Sequence, residues 1–154
     1  MSTEIVPFEM TLRVRDTCLC LHAQRAARAL ARRFDAALRP LGLTNGQFSL
    51  LMALNRPEPA DMGGVAALLA MDRTTLTAAL KPLQRQGLVA IRIVAKDKRV
   101  HALALTAAGA RLLAKAAPLW EATHAAAESV LGPVQTQRLR RDLAMLAGEW
   151  PAGR

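Results

Sequence analysis

The chain has 154 residues and a formal net charge of +9, from 21 Lys and Arg against 12 Asp and Glu. With 52% hydrophobic and 21% charged residues it has the composition of a folded domain, which excludes a disordered chain. No apolar run approaches the ~20 residues that span a bilayer. The N-terminus carries Glu4 and Glu9 and lacks a signal-peptide pattern. We therefore expect a cytoplasmic protein with no membrane partner, whose excess of Arg favours a polyanionic ligand.

Most of the chain is predicted to be helical. Residues before Asp16 are mixed in character and predict an arm or a lead-in to a helix. After them, apolar residues recur at three- and four-residue steps, with capping residues before each run and Gly or Pro after several. The predicted helices cover 16–39, a short segment after a capping box at Thr44-Asn45-Gly46-Gln47, 61–69, 72–86, 106–131, and a last helix with Leu139, Leu143, Leu146 and Trp150 on one stripe. Pro82 and Pro118 lie inside two of these helices and predict bends.

Two β-strands are predicted in the middle of the chain, at 88–94 and 100–105. The polar, basic segment 95–99 between them is typical of a hairpin tip. The fold class is therefore mainly α with a small β wing, a winged helix-turn-helix. We divide it into an N-terminal arm and dimerisation helix at 1–43, a DNA-binding domain at 44–105 and C-terminal dimerisation helices at 106–154.

The helix-turn-helix is indicated by two helices joined through a tight turn at Ala70-Met71. Six apolar residues have the spacing at which the two helices bury against each other: Val65, Ala66, Leu69, Met71, Leu76 and Ala79. On the second helix, the buried stripe continues through Leu80 and Leu83. Because Ala66 is small, the helices can approach closely at that point.

The opposite side of the second helix and the hairpin carry the residues expected to contact duplex DNA. They are Arg73, Thr74, Thr75, Thr77, Lys81, Arg85, Lys96, Lys98 and Arg99. The N-terminal turns of a recognition helix reach base edges in the major groove, while a basic hairpin can follow the phosphate backbone or enter the minor groove. An ordinary solvated helix face is the alternative, and the preceding motif and the basic hairpin weigh against it.

Several short segments together resemble one family of regulators. They are Asp72-Arg73-Thr74-Thr75-Leu76-Thr77, Leu80, Leu83, Gly87-Leu88-Val89, Asp97-Lys98-Arg99, Leu103-Ala104-Leu105-Thr106 and Gly109. This pattern is similar to that of the MarR family, and the resemblance extends over roughly 16–148. It implies a homodimer with interlocked first and last helices, one winged helix in each protomer, and a small effector that changes DNA affinity. The apolar stripes of the helices after 106 independently favour a homodimer on a palindromic operator.

A small aromatic or acidic effector is the first hypothesis for regulation. Its candidate neighbours are His22, Arg25 and Arg28, which could meet a carboxylate, and Phe48. Thiol control through Cys20 is the alternative, because Leu19-Cys20-Leu21 is similar to the reactive-cysteine position of the organic-hydroperoxide-sensing branch of the family. That branch has tyrosines near the thiol, and this chain has none.

Other classes of function fit the sequence less well. The chain lacks a Gly-rich phosphate loop, a serine elbow and a metal-hydrolase helix, so we expect no enzyme and no cofactor. His22, His101 and His124 are far apart, and no metal site is expected. Cys18 and Cys20 are two residues apart in the predicted helix and should not face each other. A non-specific basic nucleic-acid-binding protein remains an alternative to the sequence-specific regulator.

Overall fold

A computed structural model describes residues 5–93 and 101–148 of the chain. Its helices are α1 Phe8–Thr17, α2 Leu19–Leu38, α3 Asn45–Ala53, α4 Met62–Leu68, α5 Arg73–Arg85, α6 Ala107–Ser129 and α7 Pro133–Ala147, with a 3-10 turn at Arg39–Leu41. The strands are β1 Ala60–Asp61, β2 Val89–Ile93 and β3 His101–Leu105. The chain divides into two compact units, Met1–Arg33 and Phe34–Arg154. Across these described ranges, no helix combines the length and apolar character needed to cross a bilayer.

The predicted single helix over 16–39 is wrong at its start, because the structure has two helices that meet at Cys18. The Thr17 hydroxyl donates to the Arg13 carbonyl at 2.8 Å, and Cys18 has an extended conformation with ψ 108°. Cys18 then acts as an N-cap for α2. Its sulfur accepts from the Leu21 N–H at 3.5 Å, and its carbonyl accepts from the His22 N–H at 3.1 Å. The break contains neither Gly nor Pro, and side chains satisfy one carbonyl at the end of α1 and one N–H at the start of α2.

The helix starts of the second unit confirm the capping predictions. The side chains of Thr44, Asp61, Asp72 and Thr106 each accept a hydrogen bond from a backbone N–H at the start of the helix that follows. At Thr44 the full capping box forms, with the Gln47 side chain accepting from the Thr44 N–H. Such bonds stabilise a helix start by about 1 kcal/mol each. They therefore define where the helices around the candidate site begin.

The three strands form one antiparallel sheet in the order β1-β3-β2. The hairpin β2–β3 pairs Val89 with Leu105 at one end and Ile93 with His101 at the other, which confirms the wing strands to within one residue. The sequence analysis missed β1, whose two residues pair with Leu103 and Ala102. A strand of two residues carries no alternating pattern, and its partner lies some forty residues away in the chain.

The buried core of the second unit joins the helix-turn-helix, the sheet and the first half of α6. Its largest fully buried side chains are Leu38, Leu50, Leu51, Leu54, Val65, Leu76, Leu80, Leu83 and Leu103. The stripe Leu76, Leu80 and Leu83 of α5 is buried as predicted. Both α5 and α6 continue through their internal prolines. In α7, Leu139 and Leu143 are exposed in the single chain, while Trp150 lies outside the described residues.

Candidate nucleic-acid interface

Asp72 determines where α5 begins. Its carboxylate accepts from the Thr75 N–H at 2.7 Å and from the Thr75 hydroxyl at 2.9 Å. These hydrogen bonds hold the pKa of Asp72 below its ordinary value of 3.8, so the cap stays charged at neutral pH. A charged carboxylate also complements the positive end of the helix dipole. The first turn of α5 is therefore held in place before any ligand arrives.

The exposed side of α5 brings together most of the predicted base-reading residues. With Leu76, Leu80 and Leu83 buried on one side, the opposite side presents a hollow of 310 Å³, called here the α5 hollow. It is lined by Arg73, Thr74, Thr77, Ala78 and Lys81. The small Ala78, which the sequence analysis did not single out, leaves space between the longer side chains. Arg85 is exposed in the last turn of the same helix.

Two of the predicted contact threonines use their hydroxyl protons within α5. The Thr77 hydroxyl donates to the Arg73 carbonyl at 2.7 Å, and the Thr75 hydroxyl donates to Asp72. Their hydroxyl oxygens can still accept a hydrogen bond from a ligand and their methyl groups can still pack against it, but their hydroxyl protons are already used. Thr75 does not line the α5 hollow, so its contact with the Asp72 cap is the role that the geometry assigns to it.

Two glycines at the start of α4 leave room for the charged groups around them. A Cβ on Gly63 would lie 3.2 Å from Asp61 Oδ1 and 3.6 Å from Nη2 of Arg73. A Cβ on Gly64 would lie 3.0 Å from Asp61 Oδ2. In sequence these glycines only weaken a helix, whereas in the fold they admit the carboxylate of the Asp61 cap, and the Arg73 side chain lies beside Gly63. Arg73 thus lies where the two helices of the motif meet.

The predicted wing contacts Lys96, Lys98 and Arg99 lie outside the described residues. The last described pair of the hairpin, Ile93 and His101, brackets them. Their contact with DNA stays a prediction from sequence.

The predicted effector residues line two different hollows, each within one unit. In the first unit, His22, Arg25, Arg28 and Arg32 line a hollow of 520 Å³ on α2, the α2 hollow. Phe48 lies in the second unit, where it borders a hollow of 320 Å³, the Trp120 hollow. The lining residues of the Trp120 hollow are Phe48, Ser49, Met52, Ala53, Leu68 and Trp120. The α2 hollow is basic and the Trp120 hollow is mostly apolar, so they suit different chemical groups.

Trp120 is the residue of this region that the sequence analysis missed. Its ring stacks on Phe48 with centroids 6.1 Å apart and on His124 at 4.6 Å. His124 Nε2 lies 3.1 Å from Glu128, whose carboxylate also accepts from Arg140 of α7. The bond from Arg140 is the main reason that the pKa of Glu128 is below its ordinary value of 4.5. The available signal was a Trp on a helix face in a chain with only 3% aromatic residues.

Comparison with known proteins identifies the family. The family model described as MarR family matches residues 41–100, which include α3 to α5 and β2. The organic hydroperoxide resistance transcriptional regulator of Bacillus subtilis (strain 168) is 30% identical over 98 residues, covering 64% of this chain and 67% of that protein. The chain belongs to the MarR family.

Solved structures of other regulators share the fold of this MarR-family chain. Mycobacterium tuberculosis MosR, solved in complex with DNA, is 41% identical with a TM-score of 0.78, covering 85% of this chain and 94% of that chain. The repressor CouR of Rhodococcus jostii RHA1, bound to a 23-mer DNA duplex, is 27% identical with a TM-score of 0.76, covering 95% and 100%. The winged-helix fold class and the MarR resemblance predicted from sequence are thereby confirmed.

The two cysteines of this MarR-family chain are free thiols at the start of α2. Cys20 is exposed, and its sulfur accepts from the Gln24 amide at 3.2 Å. Cys18 lies between α1 and α2 and so is not inside the predicted helix, whereas Cys20 lies within α2. Within the described part of the chain, no group of three His, Cys, Asp or Glu side chains could hold a metal ion.

Proposed function

We propose that the protein is a sequence-specific DNA-binding transcriptional regulator, a repressor, that binds a palindromic operator as a homodimer. One observation carries the proposal: α5 buries one side and presents Arg73, Thr74, Thr77 and Lys81 together on the other. The 41% identity to MosR, whose solved structure contains DNA, supports duplex DNA as the partner. The role requires no catalytic site and belongs in the cytoplasm, where DNA is accessible.

The residues of the interface divide into two roles. Arg73 can offer two parallel donors to one guanine, which specifies sequence. Thr74 and Thr77 add hydroxyl oxygens and methyl groups that can touch thymine. Lys81 and Arg85 lie further along α5 and meet phosphate, which positions the protein on the duplex without specifying sequence. The net charge of +9 supports the phosphate contribution.

A second copy of the chain is the partner that the exposed apolar side chains support. In the single chain Phe8 of α1 is 68% exposed, and Val134 and Met145 of α7 are 74% and 71% exposed. Exposing several large apolar side chains to water is energetically unfavourable, and burial against a second copy of the chain removes them from the solvent. A two-fold dimer also presents two α5 helices to two half-sites.

Selection of bound duplexes from a random pool tests the proposal, with the mass in solution measured by light scattering. We expect enrichment of one palindromic site and the mass of a dimer at micromolar concentration. Enrichment of no sequence, with binding that depends only on salt, would favour the non-specific nucleic-acid-binding alternative. A monomer mass would contradict the dimer.

The wing is expected to contact phosphate through Lys98 and Arg99. Replacing either by Ala should weaken binding to operator and random DNA alike. It should also reduce the slope of log affinity against log salt by about one unit for each phosphate that is no longer neutralised. Salt titrations of both variants measure this slope, and a slope equal to that of the parent would exclude the wing from the interface.

Regulation is proposed to act through a small aromatic or acidic ligand. The Trp120 hollow supports the aromatic part of this hypothesis, and the guanidinium groups of Arg25 and Arg28 in the α2 hollow support the acidic part. A Cys20 thiol switch is the second candidate, favoured by the exposure of Cys20 and by the similarity to the organic hydroperoxide resistance regulator of Bacillus subtilis.

Peroxide treatment separates these two hypotheses when the parent is compared with Cys20→Ser. If a ligand regulates the protein, peroxide leaves operator binding of both proteins unchanged, while a panel of aromatic carboxylic acids contains one that releases DNA from both. Release by peroxide from the parent alone would establish the thiol switch instead.

A further inference from the structure

The C-terminal end of the recognition helix is attached directly to the first turn of α6. After α5, Gly87 turns the chain with φ +70°, and the Leu88 N–H donates to the Leu83 carbonyl at 2.9 Å. Both carbonyls of this turn accept hydrogen bonds from Thr106. The Thr106 hydroxyl donates to the Gly87 carbonyl at 2.6 Å, and its N–H donates to the Leu88 carbonyl at 3.1 Å. One residue therefore satisfies both carbonyls of the turn that follows α5.

Gly109 brings the two backbones into contact. A Cβ at this position would lie 2.1 Å from the Leu88 carbonyl oxygen and 3.1 Å from its carbon. No side chain fits there unless the turn or α6 moves, because the two nearest atoms belong to the backbone. The Gly109 N–H also donates to the Thr106 hydroxyl at 3.0 Å, so that hydroxyl both donates and accepts.

We infer that Thr106 and Gly109 are positioning residues for DNA binding, although neither faces the α5 hollow. Together with Gly87 and Leu88 they form a latch that sets the direction of the recognition helix relative to α6. Asp72 holds the start of α5, and the latch holds its end. The inference rests on the proposed function in that α5 must be the helix that reads DNA.

The structure of α6 explains why it can serve as the fixed side of the latch. Its residues Leu113 and Ala116 are buried in the core, and Trp120 stacks on Phe48 of α3. These residues and Gly109 recur at three- and four-residue steps, so they lie along one face of the helix. The latch thus connects the recognition helix to a helix that is anchored in the core over about three turns.

Gly109→Ala is the sharpest test, with Gly46→Ala as its matched control. Both substitutions add one methyl group to a helix, but a Cβ on Gly46 meets nothing closer than the Thr44 hydroxyl at 4.0 Å. We expect Gly109→Ala to remain a folded dimer and to bind the selected operator about tenfold or more weakly, with faster amide hydrogen exchange over 85–90. Gly46→Ala should match the parent in both measurements.

Thr106 supplies a second pair of variants that does not depend on a steric clash. Thr106→Val keeps the shape of the side chain but leaves the Gly87 carbonyl without its donor and the Gly109 N–H without its acceptor, whereas Thr106→Ser keeps the hydroxyl for both bonds. Operator affinity should fall in Thr106→Val and should equal that of the parent in Thr106→Ser. Weakening that is the same in both variants would indicate a packing role and overturn the positioning role.

The failures of the two proposals are distinguishable. If the parent and Gly46→Ala select no operator, the proposed function fails, and the inference fails with it. If the parent selects an operator and Gly109→Ala and Thr106→Val bind it equally well, only the positioning role is overturned. Unchanged hydrogen exchange over 85–90 in Gly109→Ala would show that the latch does not hold the end of α5.

Discussion

Arg73→Ala should lose roughly 30-fold or more of its preference for the operator over random DNA. A bidentate pair between Arg and guanine contributes about 1–3 kcal/mol of discrimination, and a dimer makes the contact in two half-sites, so the preference should fall by about 2–6 kcal/mol. Arg73 is exposed and lines the α5 hollow. Titration of operator and random DNA at one salt concentration gives the ratio of the two affinities directly.

Lys81→Ala is the matched variant for this prediction, since Lys81 lines the same hollow about two turns further along α5. It should weaken binding to both DNAs by similar factors and leave the ratio unchanged, because a phosphate contact carries no sequence information. If Arg73→Ala keeps the parent's ratio while remaining a folded dimer, Arg73 is not the residue that reads sequence.

Leu80→Ala should lower the free energy of unfolding by about 2–5 kcal/mol, which is the usual cost of a cavity left by a buried Leu. Leu80 is 1% exposed and lies between the two neighbouring core residues of the α5 stripe. Because Leu80 anchors the middle of α5 in the core, the substitution should also reduce operator binding. Urea unfolding at a single protein concentration measures the change.

Leu68→Ala provides the control on the adjacent helix, since Leu68 is 70% exposed. The same substitution there should change the free energy of unfolding by less than about 0.5 kcal/mol. Equal destabilisation by the two substitutions would mean that a partner surface buries Leu68 in the dimer as fully as the core buries Leu80. A small effect for Leu80 would contradict the described core.

Local signals predicted the helix starts and the two faces of the recognition helix. A capping bond joins residues three apart, so Thr44, Asp61, Asp72 and Thr106 could be assigned from sequence alone. The burial of Leu76 and Leu80 follows from helical period in the same way. The exposure of Arg73 and Lys81 then followed, since one side of the helix was already assigned to the core.

The features that the sequence analysis missed depend on partners distant in the chain or on local hydrogen bonds with a weak sequence signal. Strand β1 exists only because β3 pairs with it. The role of Trp120 depends on Phe48, about seventy residues earlier in the chain. The break at Cys18 is accompanied by hydrogen bonds from the Thr17 and Cys18 side chains to nearby backbone groups, and neither residue is a strong helix breaker.

The sequence by itself determined the class of the protein, a basic chain with a helix-turn-helix and a wing, since charge, period and capping act over a few neighbouring residues. Only the tertiary structure decided that Thr75 belongs to the Asp72 cap and that the candidate effector residues line two different hollows. It also decided that Gly109 contacts the Leu88 backbone. The physical reason is that a contact between backbones distant in the chain depends on how several helices pack together, and no local pattern records that packing.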